Sequence, residues 1–315
     1  MRILFMGTPD FALFSLRALV ESGEEIVGVV TQPDKPKGRG YTLTPPPVKV
    51  YATERGLPVY QPATLKGEDF ASLLEALAPE LIVVVAYGKI LPANVLNYPR
   101  YGCINVNGSL LPEYRGAAPM QRAIIDGKAE TGVTTMQMDV GLDTGDMLLI
   151  GKVEIGENDN FEDIHDKLGG CGAQTLLQTL QGLKDGTLKP IPQPSEGATY
   201  AAKIEKSDCL IDFSMSAKRV HNLIRGLSPI PLSFTYTPDG KMLKVIASAC
   251  QKADGFFGAP GEVISLSGGV IEVACGSGTV ALLSVLPEGK KQMRAADFIN
   301  GRKIQIGDIL KNREI

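Results

Sequence analysis

The residues with the greatest capacity for chemistry lie between positions 104 and 146 of the 315-residue chain. Two carboxamides, Asn105 and Asn107, end a predicted strand, and Ser109 and Pro112 follow just beyond it. Active sites of open α/β sheets lie beyond the carboxyl ends of strands, and an Asn NH2 can donate to a developing oxyanion. Such a preorganised donor is worth about 3 kcal/mol. Asn is also an ordinary turn residue, so a structural role for either one stays open.

A second candidate is the segment GLDTGD at residues 141–146, which places the carboxylates of Asp143 and Asp146 among turn residues. Loops of this kind can hold a catalytic Asp, but they are more often plain turns with Asx caps. Spacing alone leaves both interpretations open.

A third candidate is basic. Residues 33–49, PDKPKGRGYTLTPPPVK, hold Lys35, Lys37, Arg39 and Lys49 with Asp34 as the single acid. The length and charge of this Pro/Gly-rich loop suit contact with phosphates. A solvated loop without a specific partner is the alternative.

An α/β domain with a mainly parallel sheet must position these residues, because predicted strands and helices alternate along residues 1–188. Thr8 and Pro9 predict an N-cap and a first helical residue, opening a helix to about Ser22. The turn GTPDF lacks the G-x-G-x-x-G of a dinucleotide site. The predicted strands are residues 2–6, 26–31, 81–86, 104–106 and 133–138; the further helices are residues 69–77, 119–125 and 161–184, the last loosened near residues 169–172.

A second domain follows a proline-rich connector, KPIPQPSEG, at residues 189–197. One helix, residues 217–227, precedes short predicted strands at residues 232–236, 243–247, 261–265, 270–274 and 279–285. This spacing is typical of a small sandwich or barrel. We therefore predict an N-terminal domain at residues 1–188, a linker at 189–203 and a C-terminal domain at 204–315.

Composition limits the class of protein. Residues 1–202 carry 17 Lys+Arg against 24 Asp+Glu, whereas residues 203–315 carry 15 against 11. The net charges of −7 and +4 suggest a polyanionic partner for the basic part, and a merely basic surface is the equal alternative. Five scattered cysteines without C-x-x-C, and the lack of a long apolar run, predict a reduced, cytoplasmic protein outside the membrane. We expect no metal, since no His/Cys/Asp cluster has ligand spacing.

Taken together, these motifs resemble the methionyl-tRNA formyltransferases, within the wider group of folate-dependent glycinamide-ribonucleotide-transformylase-like domains. The resemblance covers nearly the whole chain. It rests on GTPDFA, TQPDKPKGRG, PPPVK, VVAYGKILP, SLLPEYRGAAP, GLDTGD and RGLSPIPLSFT. SLLPEYRGAAP together with GLDTGD is typical of folate-using formyl transfer. Among the enzymes that carry out this transfer, the GRG loop and RGLSP indicate the tRNA-directed family.

The resemblance implies a Rossmann-like formyltransferase domain and an OB-like C-terminal domain that binds tRNA. It implies 10-formyltetrahydrofolate as formyl donor and initiator methionyl-tRNA as acceptor. We expect a monomer. Asn105 and Asp143 match two of the family's three catalytic positions, and Asn107 occupies the third. The residues that match its folate contacts are Ser109, Leu110, Leu111 and Pro112, with Tyr87, Gly88, Lys89 and Ile90 nearby. Those that match its acceptor-stem loop are Lys35, Lys37 and Arg39.

One catalytic position departs from the family pattern. The family has N-x-H-x-S-L-L-P, whereas Asn107 replaces that His here, and His165 and His221 lie far away in sequence. An amide has no pKa near neutrality and cannot carry a proton, and loss of general acid–base help costs about 10²–10⁴-fold in rate. We expect a folded, substrate-binding protein with strongly reduced transfer activity. An introduced change, a naturally weak enzyme and proton transfer by another group all stay open as explanations.

Two other functions remain open. The first is folate-dependent formyl transfer to another amine, such as an amino sugar, because related catalytic domains share N-x-H-x-S-L-L-P. The second is a non-catalytic tRNA- or folate-binding relative that has lost its chemistry at Asn107.

Overall fold

The computed structural model describes residues 1–37, 42–194 and 196–311. Its first part alternates strands and helices, as predicted. The strands are β1 (Arg2–Gly7), β2 (Glu25–Val30), β3 (Lys35–Lys37), β4 (Thr42–Thr44), β5 (Val59–Tyr60), β6 (Leu81–Val85), β7 (Cys103–Asn107), β8 (Arg115–Gly116), β9 (Glu130–Gln137) and β10 (Met147–Glu154). The helices are α1 (Phe11–Glu21), α2 (Pro47–Glu54), α3 (Glu68–Leu77), α4 (Ala93–Leu96), α5 (Pro119–Ile125) and α6 (Phe161–Asp185).

Seven of these strands form one sheet in the order β10-β9-β7-β6-β1-β2-β5. The pairs from β7 to β5 are parallel, whereas β9 runs antiparallel to β7. Every residue of β6, LIVVV, is buried, as expected for a parallel strand covered on both faces. The predicted mainly parallel, Rossmann-like sheet is therefore confirmed.

The predicted start of α1 was wrong by two residues. The N-cap is Asp10, whose carboxylate accepts the N–H of Phe11 at 3.0 Å. The hydroxyl of Thr8 instead donates to the carbonyl oxygen of Tyr87 at 3.0 Å. Asp and Thr are both good N-cap residues, so the competing long-range contact of Thr8 could not be predicted from the local pattern.

The predicted loosening of α6 near its glycines was also wrong, because the helix is continuous from Phe161 to Asp185. The glycines serve close packing. A Cβ on Gly169 would lie 2.4 Å from the ring of Phe14, and one on Gly172 would lie 3.2 Å from Val106. The helix therefore approaches α1 and β7 more closely than larger residues would permit.

The C-terminal part is an antiparallel sheet with helices. Its elements are β11 (Tyr200–Ala201), α7 (Ala217–Gly226), β12 (Ser233–Tyr236), β13 (Met242–Lys252), β14 (Val263–Ser265), β15 (Ile271–Ala274), β16 (Thr279–Pro287), β17 (Met293–Arg294) and α8 (Ala295–Asn300). The sheet has the order β12-β13-β16-β15-β14, with β17 on β16, and all its pairs are antiparallel. Leu243 and Val245 of β13 and Leu282 of β16 belong to its buried core. This curled sheet confirms the predicted OB-like class.

The chain divides into two compact units that are discontinuous in sequence. One comprises Met1–Gly116, Glu130–Val153 and His165–Tyr200, and the other Ala117–Ala129, Glu154–Ile164 and Ala201–Ile315. The domain bounds 1–188, 189–203 and 204–315 remain a prediction. Among the described residues, no helix combines the length and apolar character needed to span a bilayer.

Candidate active site

Strand β7 carries both candidate carboxamides. Side chains two residues apart project from the same face of a strand, about 7 Å apart along it, so Asn105 and Asn107 share one face. Asn107 is 7% exposed, whereas Asn105 is half-buried. β7 is fixed by parallel pairing with β6 and antiparallel pairing with β9. The two amides are therefore held on a rigid element rather than on a loop.

Asn107 has two polar neighbours. The hydroxyl of Ser109 donates to its Oδ1 at 3.1 Å, and its side chain is near enough to Asp143 to lower the pKa of that carboxyl. The structure thus brings the predicted catalytic positions 107 and 143 together, although 36 residues separate them in sequence. The amide transmits no proton between these partners.

The position of Asp143 near the end of β7 does not follow from the end of the preceding strand, β9. Because β9 is antiparallel to β7, its end lies beside the start of β7, where the Met138 N–H donates to the Cys103 carbonyl at 2.8 Å. The segment then turns back so that Asp143 Oδ2 accepts the Gly116 N–H at 2.9 Å. Asp143 has a φ of 53°, a left-handed conformation that non-glycine residues adopt rarely and that clusters at functional sites.

Burial raises the pKa of the Asp143 carboxyl above its usual value of 3.8. The Gly116 N–H, the Asn107 amide and the positive charge of Arg115 act in the opposite direction without overcoming burial. A carboxylate with a raised pKa is a stronger base than a solvated one. The environment therefore suits Asp143 to accepting a proton.

Two residues for which the sequence predicted no role hold the Asp143 turn in place. Arg115 donates from Nε and Nη2 to Gln193 Oε1 at 3.1 and 2.6 Å. Gln193 donates from Nε2 to the carbonyl oxygens of Asp143 and Gly145 at 2.9 and 2.7 Å. Arg115 belongs to the recognised YRG run, but Gln193 lies in the proline-rich connector, and no local pattern indicated it.

We expect Gly145→Ala to displace the Asp143 turn, because an added Cβ would lie 1.8 Å from the carbonyl oxygen of Gln137. The resulting backbone shift should lower the free energy of unfolding by about 1–3 kcal/mol in a urea titration. The matched control is Gly170→Ala, where an added Cβ meets nothing within 4 Å. In that helical position alanine should raise stability by about 0.5–1 kcal/mol. Equal stabilities for Gly145→Ala and wild type would contradict the close contact.

The SLLP element that follows β7 is fastened to β9. The Thr134 hydroxyl donates to the Ser109 carbonyl at 2.8 Å and accepts the Leu111 N–H at 3.1 Å. Leu111 is buried with Met136, whereas Leu110 is half-buried. Pro112 follows Leu111 through a cis peptide bond. The SLLP segment is therefore an ordered turn next to Asn107.

The turn after β6 divides into buried and exposed parts. Tyr87 is 2% exposed, and burial raises the pKa of its phenol to about 12, so the phenol stays neutral. Gly88 has a φ of 84°, which favours glycine. Lys89 donates from Nζ to the carbonyl oxygens of Pro62 and Ala63 at 3.2 and 2.7 Å, whereas Ile90 is 85% exposed. Of the four, Ile90 presents its side chain to solvent.

The basic loop is described in part. Lys35 and Lys37 lie on β3, which pairs with β4, and the side chain of Lys35 is exposed. Arg39 lies outside the described residues. Lys49 forms an ion pair with Asp34 at 2.8 Å. Within residues 1–37, 42–194 and 196–311, no cluster of three or more His, Cys, Asp or Glu could hold a metal ion.

Comparison with protein families matches both parts of the chain. Residues 1–180 match the family described as formyl transferase, and residues 203–303 match the formyl transferase C-terminal domain. Together the two matches cover most of the chain.

Relatives extend the likeness over the full length. The methionyl-tRNA formyltransferase of Citrifermentans bemidjiense is 48% identical over 100% of this chain and 98% of its own. That of Myxococcus xanthus is 49% identical over 97% of this chain and 96% of its own. An N-formyltransferase from Helicobacter canadensis, solved with folinic acid and dTDP-3-aminofucose, superposes with a TM-score of 0.67. It is 18% identical over 89% of this chain and 98% of that one, so it supports the fold alone.

Proposed function

The chain belongs to the methionyl-tRNA formyltransferase family, and on that premise we propose that it transfers a formyl group from 10-formyltetrahydrofolate to the amino group of initiator methionyl-tRNA. We further propose that Asn107 limits the rate. The observation that carries the assignment is the proximity of Asp143 to Asn107, which lies on the strand that also holds Asn105. It supports a single site built from the two motifs by which the family was recognised.

The reaction sets clear demands on these groups. The methionyl amine forms a bond to the formyl carbon, the carbonyl electrons move onto oxygen, and the bond from that carbon to N10 of the donor then breaks. The attacking nitrogen loses one proton and N10 gains one. Donation from the Asn105 NH2 would stabilise the oxyanion, and the Asp143 carboxylate would accept the proton from nitrogen. The folate supplies an activated formyl group.

Asn107 interrupts proton movement in this scheme. Its side chain lies near the base Asp143, and its Oδ1 accepts the hydrogen bond from Ser109. An imidazole at this position would present one nitrogen to Asp143 and keep a second for the reacting atoms. The amide keeps a polar group near Asp143 but cannot exchange protons there. We therefore propose slow transfer with ordinary substrate binding.

The residues around the site fit a folate. Large apolar side chains are exposed at Ile90, Val140 and Leu142, which lie in the turn after β6 and the turn that contains Asp143. Small-molecule sites are lined mainly by apolar side chains with a few polar groups that orient the ligand. Ile90 and the SLLP element would hold the folate, while the Asn105 and Asp143 side chains act on the formyl group.

The test is formyl transfer from labelled 10-formyltetrahydrofolate to initiator methionyl-tRNA, followed as labelled formyl-methionine. We expect transfer above background that falls by a further factor of about 10²–10³ in Asn105→Ala, which loses the oxyanion donor. Free amino sugars and dTDP-linked amino sugars should neither accept the label nor compete. Transfer to a sugar amine instead of tRNA would contradict the assignment, and binding of both substrates without turnover would indicate a non-catalytic relative.

A further inference from the structure

The ammonium group of Lys49 is hydrogen-bonded to other side chains of the protein. Its Nζ lies 2.9 and 2.8 Å from the two carboxylate oxygens of Asp34 and 2.8 Å from Gln61 Oε1. The Gln61 Nε2 donates in turn to Asp34 Oδ1 at 2.8 Å. Three side chains from separate segments thus close a ring of hydrogen bonds, the Asp34–Lys49–Gln61 clamp. The bond from Lys49 holds the pKa of the Asp34 carboxyl below its usual value.

The clamp spans the two ends of the hairpin formed by β3 and β4, here called the basic hairpin. Asp34 immediately precedes β3, which begins at Lys35, and Lys49 lies in α2 shortly after β4. The hairpin itself is a short antiparallel pair with Lys35 opposite Thr44. A two-stranded ribbon of this length is marginal on its own, so its position depends on what holds its base.

The clamp is also joined to the turn after β6. Gln61 donates from Nε2 to the carbonyl oxygen of Gln32 at 2.8 Å, and Gln32 donates from its own Nε2 to the Tyr87 carbonyl at 3.2 Å. The hydroxyl of Thr8 donates to the same carbonyl at 3.0 Å. A continuous hydrogen-bonded path therefore runs from the ends of β1 and β6 to the base of the hairpin.

We propose that Asp34, Lys49 and Gln61 are positioning residues that hold the basic hairpin for contact with the phosphates of the tRNA, and that Lys49 itself binds no phosphate. The proposal rests on the proposed function. Simple electrostatics gives the opposite expectation for Asp34, because removing an acid from among Lys35, Lys37 and Lys49 should strengthen binding of a polyanion. The clamp requires that its removal weaken binding.

The experiment measures the dissociation constant for initiator methionyl-tRNA at several salt concentrations in the full-length protein. We expect Asp34→Asn and Lys49→Met each to weaken binding about tenfold, and the double variant to be no weaker than either, because the residues act as one unit. The log–log salt slope should fall equally in Asp34→Asn and Lys49→Met, because both variants lose phosphate contacts of the hairpin, whereas a phosphate contact of Lys49 itself would lower the slope in Lys49→Met alone. The KM for the folate donor serves as a second readout of the path to Tyr87, and it should rise in Gln61→Leu.

Matched controls separate the clamp from general charge effects. Glu54→Gln removes an exposed acid from α2, and Lys66→Met removes an exposed base; neither should weaken binding more than twofold, and melting temperatures verify folding throughout. Unchanged or tighter binding by Asp34→Asn, with wild type binding normally, overturns the clamp proposal alone. Failure of the wild type to bind methionyl-tRNA overturns the proposed function and the clamp proposal with it.

Discussion

Replacing Asn107→His is expected to raise the rate of formyl transfer by about 10²–10⁴-fold, the contribution typical of general acid–base catalysis. The imidazole would take the place of the Asn107 amide near the Asp143 carboxylate. Its remaining nitrogen would exchange protons near neutral pH, which a carboxamide cannot do. The measurement is single-turnover transfer with saturating tRNA and folate, so that chemistry rather than binding is timed.

Two comparisons make this result specific to the imidazole. Asn107→Gln keeps an amide and changes only its reach, so we expect no gain in rate. The KM values of Asn107→His should stay close to those of the wild type, because the proposed defect concerns proton transfer. An unchanged rate in a folded Asn107→His protein would refute the claim that the missing imidazole is limiting. It would direct attention to another proton carrier in the wild type.

The sequence was sufficient for the fold where local and long-range signals agree. Strand β6 is apolar throughout and is buried throughout, and α5 has the bounds that its pattern predicted. The errors occur where a contact with a residue distant in sequence determines the local structure. Thr8 is a good N-cap by type, but it contacts Tyr87, and Gly169 resembles a helix breaker but accommodates Phe14. Side-chain periodicity carries no information about such contacts.

The candidate site likewise contains residues that local motifs identified and a residue that only a long-range contact reveals. Asn105, Asn107 and Asp143 were identified from motifs, and the proximity of Asn107 to Asp143 fits the roles that the resemblance implied. Gln193 was not identified as part of the site, because it interacts with the Asp143 turn from 50 residues away. Its neighbours in sequence are prolines that predict only an extended connector. The catalytic roles themselves remain predictions.

Asp143→Asn is expected to lower the rate of transfer by about 10²–10⁴-fold, since the amide cannot accept the proton released by the attacking amine. In the wild type, the rate should fall with decreasing pH as Asp143 becomes protonated. Because burial raises the pKa of this carboxyl, that fall should lie above the usual value of 3.8. The pH dependence of kcat at saturating substrates measures it, and Asp143→Asn should abolish the acidic limb.

Stability gives a readout of the same carboxyl that does not depend on activity. A carboxyl with a raised folded-state pKa binds its proton more tightly when folded, so its contribution to stability is fully present below the unfolded pKa and is lost as pH rises through the folded value. Relative to wild type, Asp143→Asn should therefore become more stable as pH increases from 3.5 to 7, as measured by melting temperature. Asp146→Asn alters the other carboxylate of the same segment and controls for general loss of charge. A difference in melting temperature between Asp143→Asn and wild type that is constant or falls with pH would contradict a raised pKa. In the kinetic experiment, an acidic limb of kcat that persists in Asp143→Asn would assign the proton to another group.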